Sequence, residues 1–133
     1  MVKSINHIGI AVRNLDESIE LFGKIFDFED VHRETVAEQK VEIASFKVGD
    51  VALELTCATD PSSPIAKFIE KRGEGIHHIA FNTDDAVEEL STLKSKGINL
   101  IDETLKEGAH NMLIAFLHPK STAGILMEIC QKK

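Results

Sequence analysis

The chain is 133 residues long, 43% hydrophobic and formally −7 in charge, which suits one compact domain and excludes two of ordinary size. No dense Lys/Arg cluster interrupts the acidic composition, so nucleic acid is not the expected partner, because neutralising phosphates needs a basic footprint. No apolar run reaches the ~18 residues that a membrane helix requires.

Met1-Val2-Lys3-Ser4 leads straight into a strand instead of a secretory leader. Cys57 and Cys130 form no CxxC pair, and two such thiols without an export signal predict a reducing, cytoplasmic setting in which both are buried and unreactive. From Ile5 to Val12 the residues alternate, with Ile8, Ile10 and Val12 on one face and His7, Gly9 and Ala11 on the other. Asn14 reads as a helix cap followed by Asp16 and Glu17 in the first turn. Leu15, Ile19, Phe22, Ile25 and Phe26 then follow helical spacing. A strand is expected over 28–34, and a hairpin over 41–48 and 51–56 turns at Gly49-Asp50.

Ser62-Ser63-Pro64 opens a short helix that Gly73 ends. It has no counterpart earlier in the chain and reads as a connector. A second copy of the first pattern begins at Ile76: a strand containing His78, then a helix capped by Asp84 and stopped at Gly97. Strands near 99–103, 112–117 and 125–130 complete it. The order is β-α-β-β-β, connector, β-α-β-β-β. This predicts an α+β fold of two pseudo-duplicated modules, over 1–60 and 75–133, joined by a connector over 61–74. One four-stranded sheet with an open face needs a partner, and the other copy supplies it, so the expectation is a single domain over 1–133 with curved sheets around a metal-containing cleft.

The duplication extends to the polar residues. His7 and Glu54 recur as His78 and Glu128, each in matching apolar surroundings. Imidazoles and carboxylates inside strands are costly unless paired or bound to metal, so the set points to a divalent ion. Strand parity places His7 with Gly9 and Ala11, and His78 with Ala80 and Asn82. It places Glu54 with Ala52 and Thr56, and selects His78 over its neighbour His77. The plainer reading is two strand histidines, each hydrogen-bonded to a nearby glutamate. Nitrogen and oxygen ligands without thiolate suit Co, Mn, Ni, Zn or Mg. Four protein ligands on a six-coordinate ion leave two positions for a bidentate substrate, beside which Glu54 or Glu128 could move a proton. His32, His77, His110 and His118 lack a repeat partner and read as structural or exposed; Lys67, Lys71, Arg72 and Lys120 read as solvated.

Asn6-His7-Ile8-Gly9-Ile10-Ala11-Val12, Ser63-Pro64-Ile65-Ala66-Lys67-Phe68, Gly73-Glu74-Gly75-Ile76-His77-His78-Ile79-Ala80 and His118-Pro119-Lys120-Ser121 resemble the vicinal oxygen chelate superfamily. Within it they are most similar to the methylmalonyl-CoA epimerases, over nearly the whole chain. The resemblance implies metal ligands at His7, Glu54, His78 and Glu128, an acyl-CoA substrate, cobalt as the preferred ion and a homodimer. The implied reaction removes the C2 proton with one base and returns it from the opposite face with another. The family motif also has a catalytic glutamate just after a Glu-Gln pair, for which Glu42 in Glu38-Gln39-Lys40-Val41-Glu42 is the nearest residue. A two-residue turn at Gly49-Asp50 pairs Ser45 with Glu54 and turns Glu42 to the other face. Base roles therefore fall to Glu128 and Glu54, with Glu42 an alternative that needs a bulge. The rival readings are glyoxalase I, which is similar in fold and ligand set, and a non-catalytic small-molecule-binding protein.

Overall fold

The alternating run at the start of the chain forms β1 (Val2–Ala11), and Asn14 ends the extended stretch; the computed structural model describes residues 1–133. The Asn14 side-chain oxygen accepts the Glu17 N–H at 2.9 Å, satisfying one of the unpaired donors at the start of α1 (Leu15–Phe26). Asp27 ends that helix in a left-handed conformation, φ 48°, with its N–H bonded to the Gly23 carbonyl. β2 runs over His32–Val36, later than the 28–34 expected. Phe28 accounts for the shift, because its ring stacks on Phe46 at 4.2 Å and the chain stays irregular while that contact forms. β3 (Val41–Val48) and β4 (Val51–Ala58) make the expected hairpin at Gly49, φ +64°, with Ser45 opposite Glu54.

α2 (Pro64–Arg72) is capped by Ser63 and closed by Gly73. β5 (Gly75–Thr83) and α3 (Ala86–Ser95) follow. The cap of α3 is Asp85 and not Asp84: the Asp85 carboxylate accepts from Glu88 N–H at 3.1 Å, whereas Asp84 pairs with Lys3 at 3.2 Å. No strand forms over 99–103 beyond a single bridge between Leu100 and Leu117. The Asp102 carboxylate accepts the Phe116 N–H at 2.8 Å, taking a backbone donor that a further strand would need. The short β6 (Lys106–Glu107) instead pairs with β7 (Met112–Leu117). β8 (Met127–Lys132) starts two residues later than expected, after a turn containing Ala123 and Gly124 at positive φ.

The strands are ordered β2-β3-β4-β1-β5-β8-β7-β6. Contacts divide the chain into two compact units, one of Met1–Asn6 with His78–Lys133 and the other of His7–His77. β1 is therefore split: its first residues meet β5, where Asn82 bonds both Asn6 and Ser4 at 2.9 Å, and its remainder runs parallel to β4. In the second unit Val12, Leu15, Ala44, Phe46 and Leu55 form the core, with Ile10, Ile19, Phe22 and Leu53 packed against it. This is the helix-covered face that the alternation predicted. In the first unit Ala86, Leu90, Ala115, Leu117 and Ile129 do the same beneath α3. Each unit thus has an apolar face under its helix, and the opposite face carries its buried histidine and glutamate, in the first unit together with a second apolar cluster of Ala80, Met112, Ile114 and Cys130.

Candidate functional site

In the second unit, parallel pairing sets Gly9 opposite Glu54 and Ala52 opposite His7. His7 therefore sits two residues before the partner of Glu54, on the same face, as a diagonal neighbour. The first unit repeats this geometry: Ala80 lies opposite Glu128, and His78 is two residues before Ala80. The small residues Gly9 and Ala80 leave the carboxylates room beside the imidazoles. His7 Nδ1 lies 3.3 Å from a Glu54 oxygen, and His78 Nε2 lies 3.6 Å from a Glu128 oxygen. His7, Glu54, His78 and Glu128 are only 6%, 5%, 8% and 3% exposed. Phe116 meets the His78 ring edge-on at 5.5 Å and fixes its orientation.

Burial pushes the Glu54 carboxyl up from 4.5 to about 8, and the nearby charge of Glu34 adds to the rise. Without a cation this group keeps its proton at neutral pH. A divalent ion would hold it as carboxylate, and carboxylate oxygens beside imidazole nitrogens form a donor set of the right chemistry. The thiols stay out of that set: Cys57 donates to the Arg13 carbonyl at 3.4 Å and Cys130 to the Phe81 carbonyl at 3.4 Å. Burial also raises the Cys57 thiol above its ordinary value, which keeps it unreactive.

Glu42 lies opposite Cys57 in β3, on the face of Ala44 and Phe46 and away from Glu54. Its carboxylate bonds Arg33 at 3.2 Å, and Arg33 also bonds Asp16 of α1 at 2.7 Å. No bulge brings Glu42 round, since β3 and β4 pair without interruption from Val41 to Val48. His77 faces away from His78, with its ring edge-on to Phe68 at 5.0 Å, and burial lowers it to about 4. His118 is structural: its Nδ1 accepts the Lys120 N–H at 3.0 Å and caps a short turn.

Two residues assigned no role by sequence reasoning share the face of Glu54. β2 pairs with β3 so that His32 lies opposite Ser45 and Glu34 opposite Ile43. His32 Nε2 is 3.0 Å from a Glu34 oxygen. The signal was the His-x-Glu spacing of one strand face. Reading it required the β2–β3 register, which the short turn at Ala37–Gln39 and left-handed Lys40 set.

Residues 6–116 match the glyoxalase/bleomycin resistance protein/dioxygenase superfamily. The chain is 40% identical over 129 residues to the uncharacterised protein YqjC of Bacillus subtilis (strain 168), covering 97% of this chain and 92% of that one. It is 34% identical over 132 residues to the mitochondrial methylmalonyl-CoA epimerase of Dictyostelium discoideum, covering 98% of this chain and 80% of that one. Among solved structures, a variant of the Streptomyces coelicolor methylmalonyl-CoA epimerase, in complex with 2-nitronate-propionyl-CoA, superposes with a TM-score of 0.95. It is 34% identical, and the match covers 99% of this chain and 96% of that one.

Proposed function

The chain belongs to the glyoxalase/bleomycin resistance protein/dioxygenase superfamily, and on that premise we propose that it interconverts the C2 epimers of methylmalonyl-CoA with the help of a divalent metal. The end-to-end likeness to methylmalonyl-CoA epimerases carries the choice of substrate. The duplicated histidine–glutamate pairs carry the chemistry.

His7, Glu54, His78 and Glu128 are the proposed ligands, and the residues of 1–133 act as one functional unit because both pairs are needed. Cobalt is the first ion to try, followed by Mn, Ni, Zn and Mg. When bound, the ion supplies a positive charge against which the thioester oxygen can carry the negative charge of an enolate. Glu128 and Glu54 are the proposed acid and base. One takes the proton as the C2–H bond breaks, leaving the electron pair delocalised into the thioester. The other gives its proton to the opposite face of C2. Both carboxylates are buried, so bulk water competes poorly for the carbanion. A homodimer in a cytoplasmic setting completes the proposal.

The test is incubation of the metal-loaded protein with a single methylmalonyl-CoA epimer in deuterated water. The expected result is the other epimer carrying deuterium at C2, formed far faster than the methylglyoxal–glutathione adduct is turned over. The reverse order of efficiency would make glyoxalase I the correct reading. No turnover of either substrate would leave a binding protein.

A further inference from the structure

We propose that Lys106 binds the free carboxylate of the malonyl thioester and so selects carboxylated acyl-CoA substrates over plain acyl ones; this rests on the epimerase reading above. The need for such a group follows from charge. A divalent ion held by Glu54 and Glu128 is neutral in sum. The substrate then adds one negative charge in its carboxylate and a second when the enolate forms. The chain as a whole is acidic, at −7, so a further anion placed near the two glutamates needs a cation beside it.

Strand register and direct contact both put Lys106 there. In β6 it lies opposite Ile114 of β7. Ile114 shares its strand face with Phe116, which lies opposite Glu128 in β8. Lys106 therefore stands on the face of His78 and Glu128, at the outer edge of the sheet. Its Nζ lies over the Phe116 ring, 5.2 Å from the centroid, and the same ring meets His78 edge-on at 5.5 Å. One aromatic ring thus separates the ammonium group from a proposed metal ligand. Asp102 holds it in place: one carboxylate oxygen lies 3.3 Å from Lys106 Nζ, and the other accepts the Phe116 N–H at 2.8 Å. The ammonium group has three N–H donors, so the aspartate does not exhaust it. The Lys106 side chain is 39% exposed, and an ion pair with that much solvent access is weak enough to be shared with a second carboxylate. Its flexible four-carbon stem lets Nζ swing from the ring towards an anion beside His78. The neighbouring lysines are placed otherwise. Lys132 is on the same face but opposite Met112, about 13 Å along the strand from Glu128. Lys94 pairs with Glu103, Lys133 with Glu107 and Lys3 with Asp84.

The test is calorimetric binding of malonyl-CoA and acetyl-CoA, which differ only in the carboxylate, to metal-loaded wild type, Lys106→Met, Lys106→Arg and Lys132→Met. Wild type should bind malonyl-CoA the more tightly. Lys106→Met keeps the stem and removes the charge. It should weaken malonyl-CoA about tenfold, as loss of one charge-assisted hydrogen bond does, while acetyl-CoA changes by less than about twofold. Lys106→Arg should retain most of the preference and Lys132→Met all of it, with metal content unchanged throughout. In turnover of methylmalonyl-CoA, Lys106→Met should act mainly through KM. An equal loss of both ligands would place Lys106 against the CoA moiety or in the fold and overturns the proposal. Unchanged malonyl-CoA binding in Lys106→Met overturns it too. A wild type that prefers malonyl-CoA but epimerises nothing overturns the epimerase reading alone, since the two binding constants still decide the role of Lys106.

Discussion

Glu54 shows how burial, helped by a neighbouring negative charge, can prepare a side chain for a partner. Its carboxyl stands at about 8 in the folded protein against an ordinary 4.5. Between these values the folded, metal-free chain holds a proton that the unfolded chain has released. The folded state binds more protons there, so this group's contribution to stability is fully present below about pH 4.5 and is lost as pH rises through about 8. A bound divalent ion takes the place of the proton and should stabilise most at the upper end of that window. Thermal melts of metal-free protein across the window should show the melting temperature falling with pH, and added cobalt should cancel much of the fall. A metal-free protein that grows steadily more stable towards pH 8 would contradict this account of Glu54. The histidines give an independent check. Elemental analysis should find one ion per chain in wild type and none in His7→Ala or His78→Ala. His77→Ala should bind normally, because its ring packs on Phe68 on the other side of the strand. Full metal content in both ligand variants would sink the proposed ligand set.

At the level of elements, what could be read from the sequence followed how locally each element is determined. α1 and α2 were legible because Asn14 and Ser63 cap them through hydrogen bonds to nearby residues. The β3–β4 register was legible because a two-residue turn at Gly49-Asp50 fixes every pair behind it. That register also placed Glu42 on the helix-covered face, where it meets Arg33. β2 and β6 were misplaced because distant partners decide them. Phe28 holds the chain away from the sheet by packing on Phe46, and Asp102 occupies the Phe116 N–H. Neither event leaves a mark in local spacing. The same dependence hid the shared face of His32, Glu34 and Glu54, since the β2 register depends on a turn with left-handed Lys40. The repeat itself was the strongest signal because it did not depend on any one boundary. His7 and His78 each keep a two-residue offset from the partner of a glutamate, even where the surrounding elements shift.

Across the whole molecule, the modules read from the sequence and the compact units of the structure part company at β1. By sequence the first strand belongs with the helix and hairpin that follow it. In the structure its opening residues, Met1–Asn6, cluster with His78–Lys133. The side chains there agree: the Asn82 amide bonds Ser4 and Asn6, and the Thr83 hydroxyl donates to the Met1 carbonyl at 3.2 Å. This division imposes an order of events on a growing chain. His7–His77 is continuous and has all its own strands by the time the connector helix has been made. The first residues of β1, by contrast, must wait for residues 78–83, an interval on the order of ten seconds at ordinary rates of synthesis. During that time the start of the strand is an open edge able to pair with a neighbouring chain. Lys3 supplies a charge within it, of the kind that discourages such pairing. Pulse-labelled hydrogen exchange during refolding should therefore protect the amides of β3 and β4 before those of β5, and the amides of residues 2–6 should gain protection together with β5. Early protection of residues 2–6, ahead of β5, would show that the opening of the strand finds a partner elsewhere first.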